Sequence, residues 1–119
     1  MREGFRFHLD SILHRPTEEW PSFDPGSWII GRGYNQRALP DMLDNFLAER
    51  EKSLAWLKSL SAPNWQSEHV DEGGSISAAE MFASWVAHDN LHIRQLVEPR
   101  RARIVGLAAP FDVNYAGDW

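Results

Sequence analysis

The stretch Trp85-Val86-Ala87-His88-Asp89-Asn90-Leu91-His92-Ile93-Arg94-Gln95-Leu96 sits in the longest clean helical pattern of the chain and decides how the rest is read. His88 and His92 are four residues apart, so they leave one helix face from adjacent turns. Trp85 falls on that face one turn earlier and Gln95 one turn later. Two imidazoles placed in this way can present nitrogens to one metal ion. Met81, Phe82, Trp85 and Val86 precede the pair, and Ile93, Leu96 and Val97 follow it, so the segment reads as buried. The alternative reading of the same spacing is two interior or boundary histidines that hydrogen-bond to neighbours.

Working back from this helix, Ser77 with Glu80 has the spacing of a capping box and marks its start. Asn64 to Gly74 is polar apart from Trp65 and Val70 and reads as a loop closing on Gly73-Gly74. Glycines ahead of a helix can bind an anion, but no phosphate-loop pattern accompanies them, and loop geometry explains them better. Forward of the stretch, the helix should weaken at Pro99, with Arg100, Arg101 and Arg103 starting a new turn or continuing past a kink as a solvated face. The tail from Phe111 to Trp119 carries aromatics that suggest docking against the body.

Two further long helices are predicted. Arg2 to His14 places Phe5, Leu9, Ile12 and Leu13 at the helical period, and Pro16 ends it. Pro40 to Leu60 has Pro in its first turn, Asp41 and Asp44 near the positive end of the dipole, and an apolar stripe of Met42, Leu43, Phe46, Leu47, Leu54, Leu57 and Leu60. Between them, residues 15–38 are broken by Pro16, Pro21, Pro25, Gly26, Gly31 and Gly33. Asp24 as N-cap with Pro25 at the first helical position predicts a short helix to Ile30. Trp20, Phe23, Trp28, Ile29, Ile30 and Tyr34 make this connection too apolar for a disordered linker. They predict an ordered loop that either covers a cavity or caps one end of the core.

At 119 residues the chain is expected to be a single domain, 1–119, and a 43% hydrophobic fraction is ordinary for a globular protein. A net charge of −5 argues against nucleic acid or an anionic membrane as partner. The absence of Cys removes disulfides, thiolate ligands and a Cys nucleophile. With no apolar run long enough to span a bilayer and no signal-peptide core, a cytoplasmic protein is the expectation.

From Phe5 to about Leu96 the sequence resembles the DinB-like superfamily, the DinB/YfiT-like metalloenzymes. Glu3 with Phe5-Arg6-Phe7-His8-Leu9 looks like the end of the family's second helix. Phe23-Asp24-Pro25, Trp28 and Arg32-Gly33-Tyr34-Asn35 look like its long connection, and Leu43, Phe46, Arg50, Leu54 and Leu57 like its third helix. Trp65, His69, Gly74-Ser75-Ile76-Ser77 and the opening stretch look like its fourth.

The resemblance implies an all-α four-helix bundle with a long crossover, here N-terminally truncated: the first helix and the start of the second fall before the chain begins. It implies a divalent metal (zinc, nickel or iron) on three histidines, two of which map onto His88 and His92. The third maps upstream of Glu3, and His8 and His69 are not convincing substitutes. Trp85 and Gln95 are then the residues expected around the ligands.

Two functions follow. One is a metal-dependent enzyme related to thiol-dependent transferases, or a hydrolase, acting on a small-molecule substrate. The other is a non-catalytic helical oligomerisation or interaction module. Uncovered stripes on a truncated bundle predict a homodimer, with Phe5, Leu9, Ile12, Leu43, Phe46, Leu47, Trp85 and Ile93 lining the gap.

Overall fold

The computed structural model describes residues 2–22 and 24–117, with the side chains of residues 2, 3, 25, 28 and 29 outside the description. Phe23, the side chain of Trp28 and Trp119, all singled out in the sequence, lie outside the described residues. The order of elements is α1 (Arg2–His14), α2 (Pro25–Gly31), α3 (Leu39–Ser59), β1 (Glu68–Asp71), β2 (Gly74–Ser77) and α4 (Ala78–Ala108). Short 3-10 turns occupy Tyr34–Gln36 and Asn114–Ala116. The chain divides into two compact units, Met1–Ala83 and Ser84–Trp119. No helix among the described residues is long and apolar enough to cross a membrane.

The expectation of an all-α chain is corrected by the hairpin. Glu68 pairs with Ser77, His69 with Ile76, Val70 with Ser75 and Asp71 with Gly74 in an antiparallel register. The turn forms because the Asp71 carboxylate accepts the Gly73 N–H at 2.7 Å and Gly74 takes φ +130°, a backbone angle side-chain-bearing residues rarely adopt. Each strand has four residues and carries little apolar alternation, which is why the segment reads as a loop.

In the first unit α1 supplies the core. Leu9, Ser11 and Ile12 are fully buried, and Ala78 and Met81 from the start of α4 are buried as well. α1 packs against α3 and β1. Arg6 reaches across to α3, donating to Ser53 Oγ at 3.2 Å and to Glu49 Oε2 at 3.1 Å. Lys52 and Arg6 together hold the Glu49 carboxyl below the usual carboxylate range.

α3 turns a different face inward from the one its leucines predict. Glu49, Ser53, Trp56 and Leu60 are buried or half-buried, whereas Leu43, Phe46, Leu47 and Leu54 are exposed. At about 100° per residue, the line Leu43–Leu47–Leu54 lies roughly a third of a turn from the line Glu49–Ser53–Trp56–Leu60. The polar contact through Arg6 sets this rotation, with Ser53 Oγ also donating to the Glu49 carbonyl at 2.9 Å.

The connection after α1 is tied down as far as Trp20, which is half-buried, as is Tyr34. Asp24 caps α2, accepting the Gly26 N–H at 3.0 Å. Ile30, by contrast, is 85% exposed. Of the two courses the sequence leaves open at Pro99, the chain takes continuation: α4 runs on to Ala108, with Arg100, Arg101 and Arg103 inside it. One further expectation is corrected: the tail aromatics Phe111 and Tyr115 are exposed, so they do not dock.

Candidate metal centre

α4 is started by groups that satisfy its free N–H donors. Ser77 Oγ accepts the Glu80 N–H at 3.2 Å, and Glu80 Oε2 accepts the Ser77 N–H at 2.8 Å and its hydroxyl at 2.7 Å. These bonds hold the Glu80 carboxyl below its ordinary value. The Ala78 and Ala79 N–H groups donate to the carbonyls of Ser67 and Trp65 at 2.9 and 3.1 Å. The predicted capping box is thus formed, and the same helix carries the histidine pair in the unit Ser84–Trp119.

His88 and His92 are brought together as their spacing predicts. Their ring centroids are 4.4 Å apart and the rings meet edge to face. Both side chains are half-buried. Burial lowers the His88 pKa from the ordinary imidazole value, the neighbouring His92 lowers it further, and Asp89 opposes the shift. The neutral ring, the form with a lone pair to offer, is therefore favoured at His88.

Gln95, expected around the ligands, contacts the pair directly. His92 Nδ1 donates to Gln95 Oε1 at 2.9 Å. Oε1 is an acceptor only, so the proton sits on Nδ1 and the lone pair of neutral His92 is on Nε2. Trp85 is buried, at 6% exposure. The surrounding segment is less buried than it reads: Val86, Ile93, Leu96 and Val97 are exposed.

A catalytic zinc takes three protein ligands and an open position. Among the described residues no group of three or more His, Asp or Glu is placed to hold a metal, so the pair fits part of such a site without completing it.

His8 and His69, weighed as substitutes for the third ligand, have other partners in the first unit. The Trp20 ring lies 4.3 Å from the His8 ring and 3.9 Å from the His69 ring, stacking on His69 at 8°. Trp20 Nε1 donates to Ser11 Oγ at 3.1 Å, and His69 Nδ1 donates to the Pro16 carbonyl at 3.0 Å. Burial, and then the nearby His69, lower the His8 pKa. Sequence reasoning misses this cluster because its members come from α1, the connection and β1, and no local spacing links them.

The model of the DinB superfamily matches residues 3–96, which takes in α1, α2, α3, the hairpin and α4 as far as Leu96, the histidine pair included. No curated protein and no solved structure matches the chain. A family model that spans most of the sequence and contains the paired histidines places the chain by descent: it belongs to the DinB superfamily.

Proposed function

We propose that this protein is a divalent-metal-binding member of its family, of the four-helix-bundle type, in which His88 and His92 supply two ligands. The observation that carries the reading is the pair itself: two imidazoles 4.4 Å apart on adjacent turns, one with its Nδ1 proton committed to Gln95. A ligating histidine characteristically donates its second ring N–H to a neighbouring acceptor, which fixes the tautomer and raises the basicity of the ligating nitrogen. The lowered pKa of His88 supports the same role. A zinc, nickel or iron ion bound there would supply Lewis-acid activation of water or a thiol, in a transferase or hydrolase acting on a small molecule in the cytoplasm. The third ligand comes from a second copy of the chain or from solvent.

Metal analysis of protein purified without a polyhistidine tag tests this. Stoichiometric metal in the wild type that disappears in both His88→Ala and His92→Ala, with helix content unchanged, is the expected result. Equal metal content in all three proteins removes the pair from consideration.

The exposed leucines of α3 favour a second reading, a non-catalytic helical module that forms a homodimer. Absence of metal from a protein that nevertheless self-associates selects it.

A further inference from the structure

α1 and α3 run in the same direction. Arg6, in the first half of α1, binds Glu49 and Ser53 in the middle of α3, and the last residues of both helices meet at one cleft. The cleft lies within the first unit and has a volume of about 410 Å³, in the range of small-molecule sites. It is lined by Leu13 and His14 at the end of α1, by Trp56, Ser59 and Leu60 at the end of α3, and by residues 61–64. The last four carbonyls of a helix have no donor within it. In α1 the Ser11 carbonyl accepts the Arg15 N–H at 2.7 Å, and the Ile12 carbonyl accepts the Ser67 hydroxyl at 2.7 Å. In α3 the Trp56 carbonyl accepts the Ser59 hydroxyl at 2.7 Å, and the Leu57 carbonyl accepts the Leu60 N–H at 3.3 Å. The carbonyls of Leu13, His14, Lys58 and Ser59 have no protein donor among the described residues. Because the helices are parallel, the negative ends of their dipoles add at the cleft. His14 contributes one more acceptor. Its Nδ1 donates to the Asp10 carbonyl at 3.1 Å and lies 3.1 Å from Asp10 Oδ1, so the lone pair of the neutral ring is on Nε2. Arg15 is committed to Asp10 and Glu18, and neither Arg15 nor Lys58 lines the cleft. The lining is therefore rich in acceptors and poor in donors. An ammonium group, with three donors and a positive charge, matches it, and an anion does not.

We propose that the cleft at the joined ends of α1 and α3 binds small organic ammonium ions, with the ammonium on the unpaired helix-end carbonyls and His14 and the carbon skeleton against Trp56 and Leu60. The site shares no residue with the histidine pair and stands whether or not that pair holds a metal.

Titration of the full chain with phenethylammonium, followed through its amide resonances at slightly alkaline pH, tests the proposal. Saturable binding of one ion per chain is expected, with the resonances of Leu13, His14, Ser59, Leu60 and Ser61 moving most. Phenethyl alcohol and phenylpropionate have the same ring without the positive charge, and each should bind about tenfold more weakly or worse, the loss that goes with one charge-assisted hydrogen bond. Two exposed positions give variants that keep the helices. His14→Ala removes one acceptor and should weaken phenethylammonium binding about threefold to tenfold. Ser61→Lys places a tethered ammonium beside the helix ends and should abolish binding of the free ion, with helical circular dichroism retained. Absence of saturable binding overturns the proposal. Equal affinity for the three probes overturns it as well, because the cleft would then be reading only the ring. Binding that persists in Ser61→Lys, or resonance shifts confined to another part of the chain, places the ion elsewhere and has the same consequence.

Discussion

His8 lies against Trp20, and Trp20 lies against His69, so two imidazoles share one indole in a half-buried setting. Burial and the neighbouring His69 lower the His8 pKa, which means the unfolded chain takes up that proton more readily than the folded one. Stability from this residue is therefore present above the ordinary imidazole pKa of about 6.5 and is lost as pH falls below it. The charged groups on neighbouring residues of α1 and the connection, Asp10, Arg15 and Glu18, are engaged in ion pairs with one another. Thermal melts recorded across the acid side of neutrality should show the melting temperature falling with pH. In His8→Phe, which keeps a ring against Trp20 without a titrating group, the fall should be shallower. Identical slopes in the two proteins would assign the acid sensitivity to other residues. At the candidate centre, the hydrogen bond from His92 Nδ1 to Gln95 Oε1 favours the tautomer with its lone pair on Nε2.

Among the elements, the hairpin and α3 carry the clearest lessons. β1 and β2 exist because the chain can reverse at Glu72-Gly73, where the Asp71 carboxylate accepts the Gly73 N–H and Gly74 enters the positive-φ region. Gly74→Ala meets open space, so any cost comes from the backbone and not from a clash. It should destabilise the protein by about 1–3 kcal/mol in chemical denaturation. A smaller change would show that the turn readjusts. For α3, hydrophobic periodicity identifies the helix correctly but not the side that packs. The half-buried Glu49 and buried Ser53 face α1 because Arg6 binds both, and an ion pair joined to a hydrogen bond of this kind has no hydrophobic signature. The leucines are left facing outward.

For the molecule as a whole, two units share the helix α4 and differ in how they bury their side chains. The first unit holds Leu9, Ile12, Ala78 and Met81 in its core, with Trp65 and Trp56 half-buried. In the second, Leu96, Leu107, Phe111 and Tyr115 are exposed. Brief chymotrypsin treatment under native conditions should therefore cut first after Phe111 and Tyr115, which lie outside α4, and later at Trp20 or Trp56. Early cleavage at Trp20 would mean that its contacts with Ser11, His8 and His69 do not hold the connection. The residues expected to line an uncovered face divide between exposed and buried positions. Leu43, Phe46, Leu47 and Ile93 are exposed, but Leu9, Ile12 and Trp85 are buried within the chain.

Features that depend on neighbours a few residues apart are legible in the chain alone. The helix α1 and the cap of α2 by Asp24 follow from local backbone rules, as do the capping box at Ser77 and Glu80 and the placing of His88 and His92 on adjacent turns. The ordered motifs along the chain were also enough to indicate the family to which it belongs. Long-range packing settles which face of α3 is covered, that residues 68–77 form a hairpin, and that Trp20 lies against His8 and His69. These outcomes depend on contacts between residues far apart in sequence: Arg6 with Glu49 and Ser53, Ser67 with the Ile12 carbonyl, and His69 with the Pro16 carbonyl. Each joins polar groups that a hydrophobic pattern assigns to solvent. Once buried, such groups must find partners, and which partners lie within reach is set by the packing of the helices and not by local spacing.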